Sequence, residues 1–540
     1  MTRLLGSFFI IIILLVAFPG KTIAFSDDKK LILIHLDGVS SHHLLQELNK
    51  GNLPNLESFF GQEGRIDYTI TYFPSKTPTV ISSIRDGISL DESLLPGWER
   101  ANAENGDVSG LIVSFLQMAF SKSRLATTNL IYGLPAFDFL AGPALINTAD
   151  YLKDYNVLQF YWYKVDTHGH FYGEEAYVQQ IAEFDRQFGR LTKRLDDDVN
   201  IVIYSDHGMT FGEGVEMDLK MEELIGDDLI VFSYPSVYLA NSELSEHYAR
   251  KLVDNSEIDY TFFQKEDGNV KGFHQKGIIY FNGKNDLINY EFEGEDVLGY
   301  YSKGYNGEYF DVQEWLSFTH DLSYPLAPVN LYTFLMNENS GDIVTMLDQT
   351  KYLQTGYSRS GNHGGFTSRD MTTPLFVKGP NVDHLYGRRY FWLPDLFNEI
   401  KEIDFDQHPP RERHFISGRY DFRRNRPVTE LSFSPIYRVR YGANFYMDNF
   451  SAIDRVDVWG KVDLFRSYLA RVWLGTGVEI RDSDIRPLLK FQYDIHIRRF
   501  VIQNSLATNR QYYFKVSWEA TPWLAVETVN LNSLGLRFDF

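Results

Sequence analysis

Three stretches of this chain end in residues that bind cations. Residues 161–170 read YWYKVDTHGH, an apolar and aromatic run that closes on Asp166 with His168 and His170 behind it. Residues 200–209, NIVIYSDHGM, run into Asp206 and His207, and residues 31–38, LILIHLDG, run into Asp37. Each is the pattern of a buried strand that stops at a carboxylate or an imidazole. Strands that finish this way at one edge of a sheet bring donors to a single point, as a metal site requires. Packing alone gives no reason for the coincidence. Gly361-Asn362-His363-Gly364-Gly365 adds one more imidazole. The chain has no cysteine, so thiolate ligands are excluded and histidine and carboxylate remain. Asp37, Asp166, His170, Asp206, His207 and His363 divide into two sites of three, each with open coordination. Two ions about 4 Å apart are a standard clamp for in-line displacement at phosphorus. His168 is an alternative ligand to His170, while His35, in mid-strand, reads as a core or supporting histidine.

A nucleophile is at hand. In Pro74-Ser75-Lys76-Thr77-Pro78-Thr79, Pro78 suits the first turn of a helix, which puts Thr77 at a helix N-terminus. Free backbone amides and the helix dipole favour an anion there, a good address for a residue that must hold a phosphate. A plain capping role for Thr77 fits the same position.

The elements that must position these residues alternate. Residues 30–37, 156–165 and 200–205 read as strands, as do 65–73 and 374–378. Ser40-Ser41 caps a helix that runs to Leu48, and 176–195 is an amphipathic helix. This predicts an α/β sheet with helices on its faces, occupying residues 25–408. Between about 210 and 355 the pattern loosens, which we read as an insertion that covers or shapes the site. Residues 1–24 read as a signal peptide: Arg3, an apolar run over 4–18, and Thr22-Ile23-Ala24 before Phe25. Export is therefore expected, without disulfides and without a lipid-bearing cysteine. The net charge of −20, from 52 basic and 72 acidic residues, argues against nucleic-acid binding.

Residues 409–540 follow another rule. Leu431, Phe433, Tyr437, Val439, Tyr441, Ala443 and Phe445 share one parity, as do Leu489, Phe491, Tyr493, Ile495 and Ile497, while Arg471, Glu479, Lys490, Gln492, Asp494 and Lys515 fall in interleaved sets. This predicts an antiparallel all-β domain, a small barrel of about eight strands with one face for lipid and one for a polar lumen. A soluble antiparallel sandwich gives the same alternation. The terminal Leu534-x-Leu536-x-Phe538-x-Phe540 resembles the C-terminal signature of bacterial outer-membrane β-barrel proteins. An even strand number would place the first domain in the periplasm; the sandwich reading leaves a soluble periplasmic or secreted protein.

Leu36-Asp37-Gly38, Pro74-Ser75-Lys76-Thr77-Pro78, Asp166-x-x-Gly169-His170, Ser205-Asp206-His207-Gly208-Met209 and Gly361-x-His363-Gly364 together resemble the alkaline phosphatase superfamily, most closely its nucleotide pyrophosphatase/phosphodiesterase branch. The resemblance covers the first domain only. It implies an alkaline-phosphatase-like core sheet, two zinc ions (or other divalent metals such as manganese) and Thr77 as covalent nucleophile. Asp166, His170 and His363 would hold one ion and Asp37, Asp206 and His207 the other, with Thr77 facing the second as a further metal-binding residue. The implied activity is hydrolysis of a phosphoric ester, small molecule or lipid head group, through a phosphothreonine. A phosphomonoesterase, or an outer-membrane structural protein with an inactive phosphatase fold, are the alternatives. The branch's Gly-Asn pair after the nucleophile helix is missing; Pro96-Gly97-Trp98-Glu99-Arg100 stands nearest, and Lys76 or Arg100 are candidates to contact substrate.

Overall fold

The N-terminal domain is built on a seven-stranded sheet. The computed structural model describes residues 29–80, 138–400 and 414–540, save 153–155, 256, 437–438, 449–451, 467–469, 482–483, 498, 509–511 and 522, with residue 403 and a few residues between 97 and 127. The expected signal segment, 1–24, lies outside the described residues. Six strands carry the sheet: β1 (Leu31–Leu36), β2 (Arg65–Ile70), β3 (Val157–Trp162), β4 (Asn200–Ser205), β5 (Thr372–Lys378) and β6 (Tyr390–Trp392). Their order is β6-β2-β5-β4-β1-β3, with the short strand Ala126–Thr127 beyond β3. β1 runs parallel between β3 and β4, so that Leu36 pairs with Trp162 on one side and Ser205 on the other. The residues that follow these three strands therefore leave the sheet at the same edge.

Every residue of β1 and β4 is buried, which is why both read as unbroken apolar runs. Among the described residues the longer helices of this half are α1 (Ser41–Asn49), α2 (Asp138–Tyr151), α3 (Lys164–Tyr172) and α4 (Glu174–Thr192), with the short helix Pro54–Phe60 beside α4. Ile32, Ile34 and Leu36 share a core with Leu44 of α1, Leu145 of α2 and Phe184 and Phe188 of α4. On the other face Leu31, Leu33 and Val202 join Phe262, Phe281, Trp315 and Phe334. This is the alkaline-phosphatase-like α/β core that the motifs implied.

Two strand ends need correcting, and the first is that of the strand expected over 65–73, which stops at Ile70. The strand expected over 156–165 ends at Trp162, and α3 begins at Lys164. The aromatic run Tyr161 to Tyr163 favours strand, and Tyr163 precedes the helix without a side-chain cap, so no local signal marks the change. The region between β4 and the His363 loop is more regular than its sequence. It holds a second seven-stranded sheet, antiparallel throughout, in the order Leu287–Gly294, Gly277–Lys284, Val270–His274, Ile258–Gln264, Ile343–Leu347, Ser236–Leu239, Leu229–Ser233.

The C-terminal domain is a closed antiparallel barrel. Its strands are β7 (Phe415–Asp421), β8 (Arg426–Ile436), β9 (Val439–Asp448), β10 (Ala452–Arg466), β11 (Ala470–Arg481), β12 (Asp484–Ile497), β13 (Phe500–Ala507), β14 (Tyr512–Thr521), β15 (Leu524–Val529) and β16 (Ser533–Asp539). There are ten strands, not about eight. The odd-numbered apolar set from 431 to 445 looks like a single strand, yet the chain reverses between β8 and β9, and their facing residues keep one parity. β7 keeps the alternation, with Ser417 and Arg419 inward and Ile416 and Gly418 outward, but Gly418 takes an apolar side chain from its outer face.

The barrel is apolar outside and charged inside. Leu474, Leu489, Phe491, Leu506, Trp518, Leu536 and Phe538 are exposed. Within, Arg419 pairs with Glu430 at 3.1 Å, Lys515 with Glu527 at 2.7 Å, Lys461 donates to Gln492 at 3.0 Å and Trp473 to Asp494 at 2.9 Å. Both barrel termini lie at one end, the end that also carries the close of β12. There the Tyr151 hydroxyl, on the last turn of α2, donates to the carbonyl oxygen of His496 at 3.3 Å.

Candidate active site

Asp37 follows β1, Asp206 and His207 follow β4, and Asp166 and His170 lie on α3 just beyond β3. Because Asp166 and His170 stand at i and i+4, one face of α3 presents both, with His170 Nε2 3.2 Å from Asp166 Oδ1. His168, two residues from each, points elsewhere, and its Nε2 lies 2.8 Å from Asp138 Oδ2 of α2. Helical phase thus sets His170, and not His168, beside Asp166. His363 arrives from a loop pinned to β4's exit by a bridge between Thr210 and Asn362, and its Nε2 is 3.5 Å from Asp166 Oδ1.

The donor atoms converge in three overlapping groups. Asp166, His170 and His363 form the first expected trio. The second is spread over two groups, Asp37 with Asp166 and His207, and Asp37 with Asp206 and His35. His207 Nε2 is 3.4 Å from both Asp37 Oδ1 and Asp206 Oδ2. His35, read as a core or supporting histidine, places Nε2 3.1 Å from Asp206 Oδ1 and stacks on Tyr204. The hydroxyl of Thr77 stands 3.1 Å from His207 Nε2 and 3.4 Å from Asp37 Oδ1. Residues 77–80 are helical, and the Val80 amide donates to the Lys76 carbonyl at 3.0 Å.

The surroundings prepare these groups to hold a cation. Three imidazoles use Nδ1 against a carbonyl: His170 with Gly361 at 2.9 Å, His207 with Gly208 at 2.8 Å, His363 with Ser75 at 2.6 Å. An Nδ1–H engaged this way leaves Nε2 as the lone-pair donor. Asp166 Oδ1 and Asp206 Oδ2 are buried without a hydrogen-bond donor. Burial, then the charges of Asp166 and Asp206, push the Asp37 carboxyl up to about 7. Burial opposes charge on His207, yet Asp206 and Asp37 carry its ring up to about 10. Burial, reinforced by His207 and His170, holds His363 well below the ordinary histidine range. Three carboxylates gathered out of water are costly unless positive charge sits among them, so the donor set fits divalent metal.

Several supporting residues carried no signal of their own. The Tyr161 hydroxyl donates to Asp37 Oδ2, and Tyr177 fixes the following turn, donating to the Gly38 carbonyl at 2.7 Å and accepting from the Ser40 amide at 2.8 Å. Asp370 accepts from Thr210 at 2.7 Å and from the Gly365 amide at 2.9 Å, tying the His363 loop to the exit of β4. Only the strands' register and the loops' packing reveal these roles. Of the two candidate substrate contacts, Lys76 donates to the carbonyl of Tyr234, between strands of the second sheet. Arg100 lies on the strand Arg100–Ala101, with its side chain outside the described residues.

Residues 93–359 match the family described as type I phosphodiesterase / nucleotide pyrophosphatase. The match contains Asp166, His170, Asp206 and His207 and leaves out Asp37, Thr77 and His363. No curated protein matches the chain in sequence. Among solved structures, murine ectonucleotide pyrophosphatase/phosphodiesterase 5 is similar at 14% identity and a TM-score of 0.44, over 70% of this chain and 96% of that one. The human protein is similar at 14% identity and 0.43, over 69% and 94%. An inactive variant of the murine protein in complex with AMP gives 14%, 0.45, 71% and 97%. With its motifs at the exits of β1, β3 and β4 and the match over 93–359, the chain resembles the nucleotide pyrophosphatase/phosphodiesterase branch of the alkaline phosphatase superfamily.

Proposed function

We propose that the protein is a two-metal phosphodiesterase that works through a phosphothreonine at Thr77 and is held at the outer membrane by its barrel. The observation that carries this reading is the position of the Thr77 hydroxyl, 3.1 Å from His207 Nε2 and 3.4 Å from Asp37 Oδ1, beside buried carboxylates and imidazoles.

Asp166, His170 and His363 would hold one ion, and Asp37, Asp206 and His207 the other. Zinc, or another divalent ion such as manganese, supplies Lewis acidity when bound there: it lowers the pKa of a hydroxyl or a water and stabilises a departing ester oxygen. Thr77 gives its hydroxyl hydrogen to Asp37 Oδ1, which raises electron density on the oxygen that attacks phosphorus. The P–O bond to the first alcohol breaks, that alcohol leaves with the proton taken from Thr77, and the phosphoryl group, still esterified to the second alcohol, stays on Thr77. Water then attacks phosphorus from the opposite side, its oxygen stays on the released monoester and one of its protons returns to the freed Thr77 oxygen. Asp370 and Tyr161 hold the His363 loop and Asp37 in place through both steps.

The apolar exterior and charged interior of the barrel support insertion in a bilayer. With ten strands both barrel ends lie on one side, and the contact of Tyr151 with His496 is at that end, which supports a catalytic domain on the periplasmic side. A cleaved signal segment over 1–24 would route the chain there.

The test uses the full chain in detergent. Bis(4-nitrophenyl) phosphate and 4-nitrophenyl phosphate are compared with and without a chelator, and acid-quenched enzyme is searched for phosphate on Thr77. Chelator-sensitive turnover, faster on the diester, with the label on Thr77, is expected. Turnover indifferent to chelator, or label on another residue, would sink the mechanism, and a faster monoester would make the enzyme a phosphatase.

A further inference from the structure

A row of cations crosses the inner wall of the barrel. Arg440 of β9 pairs in register with Lys461 of β10, Lys461 with Gly475 of β11, and Gly475 with Lys490 of β12. Paired positions share one face of a sheet, and like charges directly opposite one another are destabilising. Here the shared face is the inner one, because Arg440, Lys461 and Lys490 line a single cavity. Gly475 puts no side chain between the two lysines, so β11 contributes nothing to separate or neutralise them.

The carboxylates of the lumen are engaged elsewhere. Glu430 lies 3.1 Å from Arg419 and 3.4 Å from Lys515, and Glu527 lies 2.7 Å from Lys515. Asp457 accepts from Arg455 Nε at 2.7 Å, while Asp494 accepts from Trp473 at 2.9 Å, Gln492 at 2.7 Å and Gln503 at 3.2 Å. Lys461 donates to the amide oxygen of Gln492 at 3.0 Å. The ammonium group of Lys490 lies over two rings, 5.6 Å from that of Trp459 and 5.8 Å from that of Tyr513. Among the described residues, neither lysine has a carboxylate at salt-bridge distance.

An independent observation falls on the same cavity. Trp459 lines it and is 5% exposed, and its indole N–H is buried with no acceptor. Orphaned buried donors are rare in folded proteins. Lys461 stands 5.2 Å from the same ring. Two ammonium groups, a guanidinium and an unanswered N–H together suit an acceptor that carries negative charge. The cavity measures about 60 Å³. A water needs about 10–15 Å³ of such space, so there is room for about four atoms of oxygen size. That is the size of a tetrahedral oxyanion, and too little water to hydrate three cations.

We propose that the barrel encloses a binding site for a small tetrahedral oxyanion of the size and charge of inorganic phosphate, held by Arg440, Lys461 and Lys490 and by the indole N–H of Trp459. Such an anion neutralises the row and ties β9, β10 and β12 together from within. The site shares no residue with the candidate active site and does not depend on the hydrolase reading.

The experiment is a calorimetric titration of the full chain in detergent with inorganic phosphate, at constant ionic strength set by sodium chloride and after metal has been removed with a chelator. Without metal the carboxylates of the candidate active site repel an anion, so the heat reports the barrel. We expect one phosphate per chain for the wild type. Trp459→Phe, which removes the N–H and keeps an aromatic ring, should weaken binding by about tenfold, and Lys490→Met by more than that. The temperature at which heat-dependent gel migration changes gives a second readout. With chloride alone Lys490→Met should match or exceed the wild type, because a like charge has gone, and with saturating phosphate the wild type should lead. A lysine with a purely structural role would give one order in both buffers. No binding by the wild type, unchanged binding in both variants, or one order in both buffers overturns the proposal. Should Lys490→Met fail to fold, the titration of Trp459→Phe decides by itself.

Discussion

A β-carbon at Gly38 would stand 2.9 Å from the β-carbon of Asp166. Gly38 also has φ +71°, a region that costs a side chain about 1 kcal/mol or more. The turn after β1 and the first turn of α3 can approach this closely only because one of them has no side chain. That approach brings Asp37 and Asp166 into one candidate metal group. Gly38→Ala should therefore push α3 outward, lower the melting temperature and lose bound metal together. Full metal content in a well-folded Gly38→Ala protein would show that the approach is not needed.

Thr77→Ala removes the hydroxyl and no ligand donor of either trio. Turnover should fall by about 10⁴-fold or more while metal content stays at the wild-type level. Thr77→Ser, which keeps an oxygen in the same place, should retain measurable activity. Metal analysis beside the rate assay decides the matter: normal turnover in Thr77→Ala removes it as nucleophile.

The crowding of carboxylates predicts how the chelated protein responds to pH. Asp37 titrates near 7 in the fold against 3.8 as its ordinary value, because of burial and then of Asp166 and Asp206. A raised carboxyl value means the stabilisation from the protonated group is complete below about pH 4 and is lost as pH rises through 7. His207 keeps its proton across that window. In chelator, Asp37→Asn, which cannot ionise, should melt above the wild type by a gap that widens from pH 5 to pH 8. A gap that stays constant would remove Asp37 as the titrating group.

Asp370 touches none of the expected ligands, yet it holds both ends of the path to His363, through Thr210 and the Gly365 amide. Asp370→Ala leaves two buried donors without a partner, a cost of about 1–3 kcal/mol for each group. Metal affinity should weaken by about 10–100-fold, as when an outer support of a ligand is removed. Competitive titration with a chromophoric chelator reads this directly, and unchanged affinity would mean the loop is fixed without Asp370.

Much of this was legible in the sequence, for a physical reason. A strand buried on both faces writes an apolar run, and a ligand at its end interrupts that run, so Asp37, Asp206 and His207 stand out by eye. Asp166 and His170 stood out for a different reason than the sequence suggests: they are one helical turn apart on α3, and the chain gives no cap to say that the helix has begun. Asp370, Tyr161 and Tyr177 were invisible because a hydrogen bond between residues far apart leaves no local pattern. The barrel was readable from its period of two, but that period does not mark where a hairpin turns, which is why β8 and β9 look like one strand.

The barrel's exterior supplies the sharpest test of where the protein resides. Leu474 and Phe491 pair across β11 and β12 near the middle of both strands, with Leu474 42% and Phe491 50% exposed. In a bilayer this position lies near the midplane, where arginine costs about 2–4 kcal/mol. In water the same exposed position tolerates arginine with an effect within about 0.5 kcal/mol. Leu474→Arg should therefore lower stability in lipid vesicles by the larger amount, read from urea unfolding followed by the loss of heat-dependent gel migration. Trp518→Arg, on the same face but close to the end of β14, should cost less, because the penalty falls towards the interface. Equal and small effects at both positions would mean that water, not lipid, surrounds the barrel.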